Sequence, residues 1–216
     1  ETIKEYAFEN ASSLVALKLP DAVTTIEQYA FANCTSIETA ELDDNLLTIN
    51  NNAFQNCTSL ISVTIPESVR TLGSAAFLGS SGMISLTIEE GLEIIQQYAF
   101  SGCAGLTAVH LPDSIKSVYS MAFRNCSSLT SIHLPDSIER LDNAVVQGCE
   151  KLTTVNYPLN WTQWGQKTFD GNSYKSPFYQ CPKLGYIIIP EGVKSIPDNA
   201  FRDADGFILI ELPSSL

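Results

Sequence analysis

Phenylalanine recurs at positions 8, 31, 54, 77, 100 and 123, each 23 residues after the last and each directly behind an alanine. A fixed period of this length restricts the fold more than any single motif could. Val146 takes the next slot, Phe178 follows 32 residues later, and Phe201 restores the spacing of 23. That makes nine anchors and one interval longer by 32 − 23 = 9 residues.

Other columns keep the same phase. Six residues after the anchor stands a large apolar side chain: Leu14, Ile37, Leu60, Met83, Leu106, Leu129, Leu152, Leu184 or Phe207. Positions nine and eleven after it are also apolar in most units, as in Val63/Ile65, Val109/Leu111 and Ile187/Ile189. Being two apart, they point to one face of a short strand. A proline often follows at once (Pro20, Pro66, Pro112, Pro135, Pro190) and ends the strand by removing a ladder donor. On the way to the next anchor, apolar residues fall three apart, as in Val69/Leu72 and Ile138/Leu141, which suggests a helical turn or an irregular arc. One such unit cannot bury its own apolar side, so the units must stack into a solenoid with one parallel strand per coil.

The stretch from Leu111 to Ile138, LPDSIKSVYSMAFRNCSSLTSIHLPDSI, carries the L-x-x-L-x-L spacing of leucine-rich repeats and resembles their BspA-like class. The resemblance extends over nearly the whole chain. It implies an α/β repeat solenoid, right-handed, of about nine coils of 23 residues with a parallel β-sheet on the concave face. It also implies a cell-surface or secreted, adhesin-like protein that binds other macromolecules. One departure stands out: the asparagine-ladder slot after the strand holds Ser68, Ser114 and Ser137, with asparagine only at Asn45 and Asn160. The whole of 1–216 is expected to be one repeat domain, a piece of a longer chain, with the nine extra residues placed within 158–177.

The net charge of −12 disfavours nucleic acid and anionic membrane surfaces as partners. No apolar run approaches the ~20 residues of a membrane span, so direct membrane insertion is not expected. The segment has no G-x-S-x-G, H-E-x-x-H or P-loop, so neither catalysis nor a cofactor is expected.

Cys34, Cys57, Cys103, Cys126, Cys149 and Cys181 all stand three residues after an anchor, a slot filled elsewhere by Ala11, Ser80 and Ala204. The column therefore wants a small buried side chain, and unpaired cysteine behaves as a small hydrophobe. Disulfides between adjacent coils and a metal site are the alternatives, although no C-x-x-C pair exists to begin a zinc site. Asn10, Asn33, Asn56 and Asn125 each begin an N-x-[ST] sequon two residues after an anchor, where glycine also occurs. A shared tolerance for left-handed backbone explains them as turn residues. Asn160 is the sequon best placed for a glycan.

Positions eight and ten after the anchor must face outward. On that face His110 and His133 should stack on adjacent strands, as a solvated ladder or as a metal-binding pair. Towards the C-terminus the outward positions turn apolar at Tyr186, Ile188 and Leu209. The long interval nearby holds Trp161, Trp164, Phe169 and Tyr174. Exposed aromatics suit recognition, and these side chains either form a ligand site or fold over the sheet as a local core. The expected function is a monomeric, non-enzymatic module that binds a protein or glycan. An architectural spacer and a glycan-binding module built on Trp161, Trp164 and Tyr174 are the alternatives.

Overall fold

The computed structural model describes residues 1–164 and 175–216, and it is a β-solenoid. One parallel strand per coil runs through Ala16–Lys18, Thr39–Glu41, Ser62–Ile65, Ser85–Ile88, Ala108–His110, Ser131–His133, Thr154–Val155, Gly185–Ile188 and Phe207–Glu211. Register between neighbours is one full repeat, as in Val63 against Leu86 and His110 against His133. Side chains alternate along each strand: in Ser85–Ile88 the leucine and isoleucine are buried while serine and threonine are exposed.

The arc that follows is not helical, which corrects the α/β expectation; among the described residues no helix occurs. Instead a turn is followed by a second, two-residue parallel strand: Thr2–Ile3, Thr25–Ile26, Thr48–Ile49, Thr71–Leu72, Ile94–Ile95, Ser117–Val118, Arg140–Leu141 and Gln163–Trp164. The turn is closed by bonds such as Val69 N–H to Pro66 O (3.0 Å) and Ile138 N–H to Pro135 O (3.1 Å). A turn residue and the second strand residue both face inward, which gives the spacing of three without a helix.

The anchor phenylalanines are the spine of the core. Phe31, Phe54, Phe77, Phe100 and Phe123 are fully buried, and successive rings from Phe8 to Phe123 stack 5.1 to 5.5 Å apart. Each buried ring contributes roughly 1.5–3 kcal/mol by leaving water. The alanines before them are buried where coils approach closely. Two residues to each side of the anchor, the backbone turns left-handed, as at Tyr29 (φ 55°) and Asn33 (φ 60°). For a non-glycine residue this costs ~1–2 kcal/mol. It is offset because the twist aims N–H groups along the solenoid axis. Tyr29, Phe31 and Asn33 N–H donate to Asn51, Ala53 and Gln55 O at 3.2, 2.8 and 2.7 Å.

Side-chain ladders join the coils elsewhere. Ser68, Ser114, Ser137 and Ser215 Oγ each donate to a carbonyl one coil back, at Leu46, Leu92, Ile115 and Val193, over 2.7–2.8 Å. The hydroxyl thus does at this corner what an asparagine ladder would do. Asn160 joins it through Nδ2 to Asp136 O (2.8 Å), so its amide is engaged. Asn45 instead bonds locally to Asp43. At the anchor corner, two residues after the anchor, Asn33 and Asn56 Nδ2 bond Asn10 and Asn33 Oδ1 (3.0 and 2.9 Å), so these amides also form a ladder.

Candidate functional site

The outward strand face is the surface on which coils differ most. Its first two strands carry Lys18 and Glu41, an exposed ion pair at 3.3 Å. Thr64 and Thr87 follow, both exposed. His110 and His133 come next, exposed and stacked with ring centroids 4.5 Å apart at 7°. Among the described residues no group of three His, Cys, Asp or Glu is gathered to hold a metal ion. Asn156 takes the following slot and turns its amide back onto the backbone of Leu134, through 2.8 and 2.6 Å bonds.

At the C-terminal end the face becomes apolar. Tyr186, Ile188 and Leu209 are 62, 55 and 57% exposed. Tyr186 lies in register with Leu209, and Ile188 with Glu211, so the three apolar side chains occupy adjacent strands. None of the described residues covers them.

The tryptophans are placed differently from expectation. Trp164 pairs with Leu141 in strand register, at the regular step of 23, and Trp161 takes the slot of Ile138. Ala144 N–H bonds Ser176 O, an interval of 32. The nine extra residues therefore fall after Trp164, and both tryptophans belong to a regular coil. Trp161 is 1% exposed, with Tyr157 at 5.1 Å and Phe178 edge-on at 6.2 Å, and its Nε1 donates to Gln163 O (2.9 Å). It fills core volume and cannot touch a ligand as the sequence reading proposed; Trp164 is half-buried beside it. Phe169 and Tyr174 lie outside the described residues. Among the described residues, Trp161 thus joins a local core beneath its own coil.

The cysteines have a role that sequence reading missed. All six are buried and free. Each thiol donates to a carbonyl of the preceding coil's anchor: Cys34 to Phe8, Cys57 to Phe31, Cys103 to Phe77, Cys126 to Phe100, Cys149 to Phe123 and Cys181 to Val146, over 3.0–3.3 Å. Ser80 makes the same bond to Phe54 O at 2.9 Å. That substitution of oxygen for sulfur in one column was the available signal of a donor. Burial pushes the Cys57 and Cys103 thiols up to about 12. Cys149 is also raised, by hydrogen bonding to Cys126 and then by burial, and Cys181 by burial. Protonated, enclosed thiols of this kind are poor nucleophiles and poor metal ligands.

Family comparison agrees with this geometry. The model of the BspA type leucine-rich repeat region matches six copies, over residues 1–89, 72–177 and 172–216. The chain belongs to the BspA-type leucine-rich repeat family. Among solved structures of the same fold is a leucine-rich repeat protein from Bacteroides ovatus, 22% identical, with a TM-score of 0.65. The match covers 100% of this chain and 65% of that one. A leucine-rich cell surface protein from Faecalibacterium prausnitzii is 25% identical (TM-score 0.53), covering 98% of this chain and 69% of that one. The pneumococcal vaccine antigen PcpA is 26% identical (TM-score 0.55), covering 94% of this chain and 51% of that one. This BspA-type chain therefore spans about half to two thirds of the length of these proteins. No curated protein matches its sequence.

Proposed function

We propose that this chain is a non-enzymatic binding module of a cell-surface or secreted protein, and that it holds a protein ligand on the outward strand face. The observation that carries the reading is the apolar end of that face, where Tyr186, Ile188 and Leu209 stand exposed on adjacent strands. These outward side chains contribute nothing to the core, so burial by the fold does not account for them. Aromatic and aliphatic anchors in such positions dominate protein recognition. The cell-surface description of the Faecalibacterium relative supports the location.

A host-protein binding screen and a glycan array, each run with the wild-type chain and the Tyr186→Ser/Leu209→Ser variant, test the proposal. A protein ligand whose affinity falls at least tenfold in the variant, with the thermal midpoint unchanged, is the expected result. A ligand bound equally by both would sink the assignment of the face. Binding on the glycan array alone would replace a protein ligand by a carbohydrate. Silence in both formats would leave the spacer as the better account.

A further inference from the structure

Both strand ladders lapse at the same place along the solenoid. The coil-by-coil strands form one sheet from Ala16–Lys18 to Ser85–Ile88, and another begins at Ala108–His110. The short strands likewise form one sheet ending at Thr71–Leu72 and a second starting at Ile94–Ile95. The backbone bonds show what is missing. Arg70 and Thr71 N–H donate to Leu47 O (2.9 and 3.3 Å), and Lys116 and Ser117 N–H donate to Glu93 O (2.8 and 3.2 Å). Between them, Glu93 and Ile94 make no such bond to Arg70 O among the described residues. Gln96 makes none to Leu72 O, although Gly73 and Tyr119 bond their counterparts at 2.7 and 2.9 Å. Thr107 makes none to Ile84 O, although Ile84 and Thr130 bond theirs at 2.8 Å.

The anchor corner stays closed across this seam. Ala75, Phe77 and Gly79 N–H donate to Gln97, Ala99 and Ser101 O at 2.9, 2.8 and 2.8 Å. Cys103 Sγ still bonds Phe77 O (3.3 Å), and Phe77 and Phe100 stack at 5.5 Å, the widest spacing in the run from Phe8 to Phe123.

The sequence departs from its neighbours where the gap begins. Gly91 occupies the slot of Ser68 and Ser114, so no hydroxyl ties its coil back to Val69 O. Arg70, from the coil before, fills the space: its Nη1 donates to Glu67 O and to Val69 O (3.4 Å), bonds within its own coil. A Cβ at Gly91 would meet that Nη1 and Glu67 O at 2.5 Å each, and φ there is +121°. The guanidinium thus needs the glycine, and the glycine forfeits the tie. A depression of about 430 Å³ lined by Arg70, Leu72, Gly91, Glu93, Ile94 and Gln96 opens at the gap.

We propose that this seam is a hinge, closed at the anchor corner and opening on both strand faces. Opening changes the spacing between Thr87 and His110, and therefore the shape of the outward face as a whole. Two measurements on the intact chain test it. In hydrogen exchange, the amides of Glu93, Ile94, Gln96 and Thr107 are expected to exchange at least tenfold faster than Lys116, Ser117, Tyr119 and Thr130 one coil on. Ala75, Phe77 and Gly79 are expected to stay as slow as Tyr98, Phe100 and Gly102. Equal protection of the first two sets would overturn the open ladders. Nitroxide pairs at Thr39→Cys/Ala108→Cys and Ala16→Cys/Ser85→Cys each span three coils, ~14 Å, and only the first crosses the seam. The native thiols are buried and escape labelling. A broader or two-population distance for the crossing pair is expected; equal widths would overturn the hinge.

Discussion

The cysteine column makes the solenoid sensitive to alkali in a way that serine would not. Cys57 and Cys103 are held protonated by burial up to about 12, against an ordinary 9.0. Both are acids whose native pKa is raised. Below pH ~9 native and unfolded chains bind the same proton, and the contribution to stability is complete. Between ~9 and ~12 the unfolded chain loses the proton and the native chain keeps it, so stability falls as pH rises. The slope is ~1.4 kcal/mol per pH unit for each thiol. From pH 8 to 10.5 the two together lose at most ~4 kcal/mol, since only the 1.5 units above pH 9 count.

Cys57→Ser/Cys103→Ser removes this loss while keeping the ladder, because Ser80 already shows a hydroxyl bonding an anchor carbonyl in that column. Near pH 8 the variant is expected within ~1–2 kcal/mol of wild type, exchanging a thiol for a stronger donor at a small apolar cost. Urea unfolding under reducing conditions at pH 8 and 10.5 decides the matter. Lysines and tyrosines titrate in the same window, but identically in both chains, so the difference between the two alkaline losses isolates the thiols. Wild type should lose several kcal/mol more than the variant. Equal losses would refute the claim that these thiols are held neutral by burial.

Three further outcomes follow from single sites. Gly206→Ala places a Cβ on the backbone oxygen of Cys181, so a fall in the thermal midpoint corresponding to roughly 2–4 kcal/mol is expected; an unchanged midpoint would contradict that approach. Tyr157 buries a hydroxyl with no partner among the described residues, so Tyr157→Phe should be neutral or stabilising by ~1 kcal/mol in urea unfolding. In the Trp164→Phe chain, Trp161 is the sole indole and should emit in the blue and resist acrylamide, while Trp161→Ala should cost ~3–5 kcal/mol; strong quenching would place Trp161 at the surface instead.

What the sequence revealed depended on whether a column stated its physics in residue type alone. The anchor, the alternation around Val63 and Ile65, and the outward positions could all be read, because period and polarity fix them. The arc stays open between a helical turn and an irregular path because Val69 and Leu72 are three apart, and that spacing arises equally from a helix or from a turn leading into a two-residue strand. The tryptophans were misplaced because the anchor interval locates nine extra residues only to within a coil. Counting 23 from Ile138 and Leu141 lands on Trp161 and Trp164, and strand register settles the choice. The thiol bonds were missed because cysteine fits a small apolar slot by size, and size hid the donor.

The repeat separates what each position must do. Inward columns are tied to the coil before and the coil after, so a change there is felt along the axis. Outward side chains at positions eight and ten meet neighbouring coils only in places, as at Lys18–Glu41, His110–His133 and Asn156, and the strand tolerates Ala16, Ser62, Thr154 or Tyr186 in equivalent slots. The turn to tyrosine, isoleucine and leucine over the last two coils is therefore not needed to close the stack. In water it is unfavourable, since exposed apolar area gains nothing until something covers it. The seam adds a second asymmetry: it divides the outward face between Thr87 and His110, leaving the apolar end on one side and the Lys18–Glu41 pair on the other. A ligand reaching across both parts would bind one hinge angle better than others, and its affinity would then report the angle it selects.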